Sequence, residues 1–476
     1  MRYETVIGME VHVELHTTSK MFCACPADHF QVGANEHVCP VCTAQPGALP
    51  VINGRALELT AMTGMALHCQ IRPHSVFARK NYVYPDLPKG YQISQYELPI
   101  CEDGWVDIPT PDGAKRIGIV RVHLEEDTGK LVHEGNASLV DYNRAGVPLM
   151  EIVTDASLRS ADEAFAYVQK IRQIVRYLDA STGDMEKGAM RCEANISVRQ
   201  EGSEEFGTKV EVKNLNSFRS VRNAIDYEVK RQIETLEDGG AVRQVTMGWD
   251  EAENTTREQR SKEYADDYRY FPEPDLLDVR VDEAWMQRVE TELPELPDAK
   301  ADRFADTHRL GAEDAALLAE DQSVAEYFEG VIAGDGADPK LAANWMTGEF
   351  FRRLKEADTD ISMVKVQPQQ LGKLLQLVAD DTISGSAAKD VFGVMWDSGG
   401  EPDQIVEQKG LKQISDSSEL ETAVDSVIEE QGEAADKVRG GDEKPIQFLM
   451  GQVMRSTKGK ANPQLVQQLL RDRLLT

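Results

Sequence analysis

Nothing in the 476 residues matches GxxxxGK[ST], so a nucleotide here must be held by something other than a P-loop. There is no GxSxG elbow, no Gly/Ser-rich amidase stretch and no cysteine in a glutaminase-like setting, so any nitrogen this chain incorporates has to be released elsewhere. No apolar run approaches the ~18 residues of a membrane span. The opening MRYETVIGMEVHVEL has neither the basic n-region nor the apolar h-region of a signal peptide. Both absences predict a cytoplasmic protein with no membrane partner. Seven cysteines are too few for a disulfide framework in a chain this long. Basic residues also fall short, 52 against 82 acidic ones, and the resulting net charge of −30 is spread along the whole chain. That surplus predicts a surface adapted to a salt-rich, halophilic cytoplasm and argues against non-specific nucleic-acid binding.

What is present divides in two. Residues 1–293 read as mixed α+β: alternations such as RIGIVRVHLEED, MRCEANISVR and TKVEVKNL are separated by Gly, Pro and Asn turns. ADEAFAYVQKIRQIVRYLD has helical apolar spacing after Ser160, a suitable N-cap. Past a linker at 293–297 strand signals almost vanish, and amphipathic helices follow, broken at Gly334, Gly336, Gly385 and Gly399-Gly400-Glu401-Pro402. A weaker boundary near 400–405 gives three predicted domains, 1–293, 294–404 and 405–476.

The strands carry the chemistry. In IGMEVHVEL (7–15) successive side chains point to opposite faces, so Glu10, His12 and Glu14 share a face opposite Ile7, Met9, Val11 and Val13. The same parity puts Arg121, His123, Glu125 and Asp127 together, then Arg191, Glu193, Asn195 and Ser197, then Lys209, Glu211 and Lys213. A merely solvated sheet does not need acids, bases and amides repeated on four strands. Carboxylates with imidazole and no thiol favour a hard cation such as Mg²⁺, and neighbouring Arg and Lys suit phosphoryl transfer from ATP. Glu14, with no further partner in view, reads as a solvated carboxylate.

Cys39-x-x-Cys42 has the usual knuckle spacing and Cys23-x-Cys25 is one residue tighter than the common pair; together they read as a structural Zn²⁺ site, closed by four thiolates. Cys69, Cys101 and Cys192 are isolated and read as core. Residues 451–476 hold Arg455, Lys458, Lys460, Arg471 and Arg473 against Asp472 alone, a local +4 suited to phosphate or to a helix C-terminus.

The opening strand, FARKNYVYPDLPKGYQISQYELPI (77–100), RVHLEEDTGK (121–130), LVDYNRAGVPLMEIVT (139–154), MRCEANISVR (190–199), EVKNLNSFRSV (211–221), DYRYFPEPDL (267–276), VCPVCTAQPGALPVIN and GQVMRSTKGKANPQLV occur in one chain. Over nearly its whole length the chain resembles the GatB family, the B subunits of tRNA-dependent GatCAB amidotransferases. The resemblance implies an antiparallel-sheet cradle related to the glutamine-synthetase catalytic fold, then an all-α helical domain and a YqeY-like tail that binds tRNA. It implies ATP-dependent phosphorylation of the side-chain carboxylate of a tRNA mischarged with Asp or Glu. Ammonia from the glutamine-hydrolysing amidase subunit, GatA, then displaces the phosphate, with the small subunit GatC as third partner. The family's Mg²⁺ site falls on Glu10, His12, Glu125 and Glu151, with Glu193 beside them as a catalytic residue; Glu125 is preferred to Glu126 because it shares a face with His123. Arg79, Lys80, Tyr82, Tyr84, Arg191, Asn195 and Lys213 become candidates for ATP and substrate, although the tyrosines suit a structural role equally. Lys458, Lys460 and Asn462 match the tail's tRNA-facing motif.

Two rivals stand beside this reading: a zinc-containing tRNA-binding adaptor without chemistry, and a glutamine-synthetase-like ligase acting on a free amino acid. The related GatE proteins carry an inserted synthetase-like domain for which this chain has no room.

Overall fold

The computed structural model describes residues 2–261, 268–334, 336–413, 417–457 and 459–475, and the chain divides into two compact units, Met1–Leu296 and Pro297–Thr476. The first is built on a nine-stranded sheet. In chain order its strands are β1 (Tyr3–Glu14), β2 (Gln70–Ile71), β3 (Cys101–Thr110), β4 (Gly113–Glu126), β5 (Pro148–Thr154), β6 (Met190–Gln200), β7 (Val210–Leu215), β8 (Val245–Asp250) and β9 (Thr255–Ser261). They lie side by side as β9-β8-β7-β6-β1-β5-β4-β3-β2, with the N-terminal strand at the centre. Neighbours are antiparallel except β7 and β8, which run parallel and so need a crossover helix between them.

One face of this sheet is apolar and covered by helices α1 (Gly54–Ala66), α2 (Ala161–Tyr177) and α3 (Phe218–Glu237). Ile7, Met9, Val11 and Val13 of β1 join Ala194 and Ile196 of β6, Tyr167 and Ile171 of α2 and Val221 and Ile225 of α3 in a single core. Truncating a residue so completely buried, Ile7→Ala for instance, costs about 2–5 kcal/mol. The helix read from the sequence begins where its cap requires: Ser160 Oγ accepts from the Glu163 N–H at 3.1 Å. Asp162 and Glu163 occupy its first turn and Arg176 its last, matching the helix dipole.

The register then decides what meets on the other face. His12 sits opposite Glu151 of β5 on one side and Arg191 of β6 on the other. Glu10 sits opposite Glu193, and Glu151 in turn opposite His123 of β4. Four neighbouring strands therefore present His123, Glu151, His12 and Arg191 in one row across the sheet. A one-residue slip of any strand would bury charge in the core, so the apolar face fixes this row.

In the second unit the named elements are all helical. Its described residues form two separate apolar clusters, one from Phe304 to Val406 and one from Leu420 to Leu474. The helix Pro402–Lys409 lies across the boundary expected at 400–405 and gives Ile405 and Val406 to the earlier cluster. Gly399 does end a helix, in the left-handed conformation at φ 68°, whereas Gly385 opens one behind the Ser384 cap.

Candidate active site

The polar face of β1, β4, β5, β6 and β7 forms the floor of a cleft of about 490 Å³. Two donor groups lie on that floor. In the first, His12 Nε2 is 3.6 Å from Glu125 Oε1 and 3.5 Å from Glu151 Oε2, and His123 Nε2 approaches Glu151 from behind at 3.3 Å. In the second, Glu10, Glu193 and Glu211 bring carboxylate oxygens within 4.8 Å of one another. Asn195 Nδ2 donates to Glu10 at 2.9 Å, and Lys213 Nζ is 2.5 Å from Glu193.

Oxygen ligands around Mg²⁺ at about 2.1 Å lie roughly 3 Å apart at adjacent vertices and about 4.2 Å apart across the ion. Both donor groups fit that spacing with small side-chain movements, and neither contains a thiol that would favour zinc.

The electrostatics follow from burial among like charges. Burial, then the charges of Glu151, Glu193 and Glu211, push the Glu10 carboxyl up. For His12, burial works against the charged form, but Glu151 and Glu125 outweigh it and raise the imidazole to about 9. Burial alone would push Glu151 up; His123 and His12 reverse this and hold it well below the usual carboxylate range. Lys213, with help from His12, likewise outweighs burial at Glu193 and lowers it. Half-buried Lys80 is held well above the usual lysine value because Glu125 and Glu151, with nearby tyrosines, overcome its desolvation. The floor is thus a dense acidic patch ringed by cations, and Arg121 and Arg191 each keep a buried Nε without a protein acceptor among the described residues.

Of the residues expected from the sequence, Glu10, His12, Glu125, Glu151, Glu193, Lys80, Tyr82, Arg191 and Lys213 line this cleft, and Asn195 reaches it through Glu10. Glu126 points away, to the Lys89 ammonium and the Ile93 N–H. Arg79 and Tyr84 are not among the lining residues. Arg79 is spent on a two-pronged pair with Glu273, at 2.6 and 2.8 Å, and stacks over Tyr91, while Tyr84 is exposed. Glu14 is not the solvated carboxylate expected: it is 7% exposed and lies 2.9 Å from His29 Nε2, with burial pushing its carboxyl up. The lining also holds residues that sequence reasoning missed as site residues. Arg121 and Glu211 were legible from strand parity, whereas no periodic pattern marks Tyr268 and Tyr270.

Asp127, on the same wall, pairs with Arg191 and lies 3.6 Å from Arg144. Burial opposes its charge, but the two guanidiniums bring its carboxyl down to about 2. A second cavity of about 310 Å³ shares Glu10 and Lys209 with the cleft and is bordered by Gly8, Ser197 and the exposed ring of Phe206. Gly207 is required beside it, because a Cβ there would stand 2.1 Å from the Val198 carbonyl oxygen.

The four cysteines of the spaced pairs converge, their Sγ atoms all within 4.8 Å of one another. Four thiolates around zinc at about 2.3 Å lie about 3.8 Å apart; Cys39 and Cys42 are 3.9 Å apart. A hydrogen bond from Cys23, with help from nearby Lys20, brings Cys42 down to about 4, and Cys23 is pushed up in exchange. In the tail, Lys458 lies outside the described residues. Lys460 is partly exposed, but Asn462 is buried and its Oδ1 caps the last helix, accepting from the Gln464 N–H at 2.9 Å. Arg471 and Arg473 are taken up by Glu443 at 2.8 Å and Glu421 at 3.0 Å.

The chain is similar in sequence to known proteins. Residues 5–287 match the family model described as the GatB/GatE catalytic domain, and residues 326–474 match that of the GatB domain. The chain is 50% identical to the aspartyl/glutamyl-tRNA(Asn/Gln) amidotransferase B subunit of Syntrophotalea carbinolica over 474 residues, 99% of each chain. It is 51% identical to the B subunit of the Moorella thermoacetica enzyme over 478 residues and 50% identical to that of Caldanaerobacter subterraneus over 475, with all of each chain covered. A chain with both family domains and half its residues identical to these relatives from end to end belongs to the GatB/GatE family, among the B subunits of aspartyl/glutamyl-tRNA amidotransferases.

Proposed function

We propose that the chain works as the B subunit of an aspartyl/glutamyl-tRNA(Asn/Gln) amidotransferase and that the cleft is its kinase and transamidase site. In this reading an oxygen of the aspartyl or glutamyl side chain, carried on tRNA, attacks the γ-phosphorus of ATP, and ADP leaves. The nitrogen of ammonia then attacks the acyl carbon, phosphate departs with the bonding pair, and nitrogen loses a proton to give the amide. Ammonia comes from glutamine hydrolysed by a partner amidase, GatA, with the small GatC chain completing the assembly. The protein is a cytoplasmic, glutamine-dependent carbon–nitrogen ligase.

The observation that carries this reading is the pair of donor groups on one sheet face, ringed by Lys80, Arg121, Arg191 and Lys213. Glu125, Glu151 and His12 would hold one Mg²⁺, and Glu10, Glu193 and Glu211 a second. When bound, such ions offset phosphate charge and favour the leaving group. Lys213 and Arg191 orient the anionic groups, and the unpartnered Nε donors of Arg121 and Arg191 suit phosphate or carboxylate oxygens. The second cavity, touching the cleft at Glu10 with the Phe206 ring at its edge, is assigned to the adenine base, which stacks well on an aromatic face. A polar concave sheet backed by helices supports kinship with the glutamine-synthetase catalytic fold. The helical second unit, with Lys458 and Lys460 near its end, is assigned to tRNA, and the cysteine quartet to structural Zn²⁺.

The reconstituted three-chain complex, given ATP, glutamine and each purified mischarged tRNA in turn, tests this. Phosphate release and amide formation that both depend on the mischarged tRNA are expected. Release of neither, with tRNA still bound, would turn the reading to the adaptor; amidation of free glutamate or aspartate would turn it to the free-amino-acid ligase.

A further inference from the structure

Lys20 is 1% exposed, among the most deeply buried large side chains of the protein, and it belongs to neither donor group of the cleft. Its Nζ donates to the His37 carbonyl at 2.8 Å, to the Tyr142 carbonyl at 3.2 Å and to Cys42 Sγ at 3.7 Å. Three acceptors match the three N–H donors of an ammonium group. His37 lies within the cysteine-bearing segment, two residues before Cys39. Tyr142 lies outside it and is followed by Asn143, which is 1% exposed, accepts from the His37 N–H at 2.8 Å and donates to the Gly33 carbonyl at 2.7 Å. Next comes Arg144, donating to the Thr128 and Gly129 carbonyls at 3.0 and 2.8 Å and standing 3.6 Å from Asp127 of the cleft wall.

Four thiolates closed around Zn²⁺ leave a net charge of −2 in a partly buried place, which costs free energy unless a cation or further N–H donors face it. The Cys39 N–H supplies one donor to Cys42 Sγ at 3.2 Å, and the Lys20 ammonium supplies a charged one. Resting on the reading of the quartet as a zinc site, we propose that Lys20 is its positioning cation: it compensates the tetrathiolate charge through Cys42 and latches the cysteine-bearing segment to the 142–144 loop behind the cleft wall.

The test uses the full chain loaded with one equivalent of Zn²⁺ or Co²⁺. In Lys20→Met the zinc affinity, read by chelator competition, is expected to fall at least ~10-fold, as for loss of a group that supports a metal ligand. The thiolate-to-cobalt charge-transfer band should move to longer wavelength, since a thiolate that loses an N–H donor gives up its electrons more easily. Lys20→Arg should recover most of both. A folded Lys20→Met chain with wild-type affinity and an unmoved band overturns the role of Lys20. A wild-type chain that takes up no zinc overturns the zinc reading instead, so the two failures are distinct. Acetylation of the native chain needs no variant: Lys20 should label markedly more slowly with zinc bound than after its removal, and equal labelling in the two states overturns the proposal.

Discussion

The two units treat their charged residues in opposite ways. In Met1–Leu296 the strand period places alternate residues on one face, and antiparallel register lines that face up across four strands, so charges far apart in sequence converge: Glu10, His12, Glu125, Glu151 and Glu193 occupy one cleft. In Pro297–Thr476 the helices carry many of their charges on outer surfaces, where each finds whatever opposite charge a neighbouring turn or helix offers. Arg471 goes to Glu443, Arg473 to Glu421, and Arg352 reaches Glu349 and Glu356 within a single helical segment. The sheet pools charge at the expense of desolvation; the helices disperse it in exposed pairs worth little each. Convergence against burial cost is a reason to look for a ligand. A local excess of +4 in an acidic helical tail is a weaker one.

The largest effect that could break this comparison is expected in the cleft. Glu151→Gln should leave the fold intact while lowering amidation by the reconstituted complex at least ~10²-fold, as for loss of one well-placed charge-stabilising group. Near-normal amidation would remove the cleft's claim to the chemistry. In the second unit, Lys458→Ala with Lys460→Ala should weaken mischarged-tRNA binding and flatten its salt dependence by about two units of slope, with ATP chemistry spared. Unchanged tRNA affinity would leave the tail without a role.

Asp127 provides a stability measurement on the sheet side. Its carboxyl is depressed to about 2 by Arg191 and Arg144 against an ordinary value of 3.8, so the contribution is complete above about pH 4 and is lost as the pH falls toward 2. Asp127→Asn should therefore lower the unfolding free energy by roughly 2 kcal/mol at pH 7, with the gap to the native chain closing in acid. A gap that does not depend on pH would contradict the assignment. The helical counterpart is smaller: Asn462→Ala should cost about 1 kcal/mol through the lost cap and leave tRNA affinity alone. Finally, if the −30 charge is a saline adaptation, thermal midpoints should rise as KCl is raised toward molar concentrations, and a flat response would speak against it.

Much of the cleft was legible because period-two alternation converts sequence into facing. Parity alone separates Glu125, which meets His12, from Glu126, which is consumed by Lys89 and the Ile93 N–H. Parity is silent about what arrives from elsewhere. Glu14 shares the face of Glu10 and His12, yet His29, in the cysteine-bearing segment, packs against it and it is buried. Arg79 sits in a motif that invites a phosphate, but Glu273, 194 residues later, claims its guanidinium. Tyr268 and Tyr270 come to the cleft from a stretch with no periodicity at all. Short spacings were reliable where the chemistry is local, as for Cys39 and Cys42 or the Ser160 cap, and failed where a long loop chose the partner.

The most direct test is to soak crystals of the chain with Mn²⁺ and ATP and locate the metal by anomalous scattering. The account predicts Mn²⁺ peaks bound by His12, Glu125 and Glu151 and by Glu10, Glu193 and Glu211, with nucleotide phosphate between them and the adenine beside Phe206. A well-ordered nucleotide bound elsewhere, with neither donor group holding metal, would contradict it.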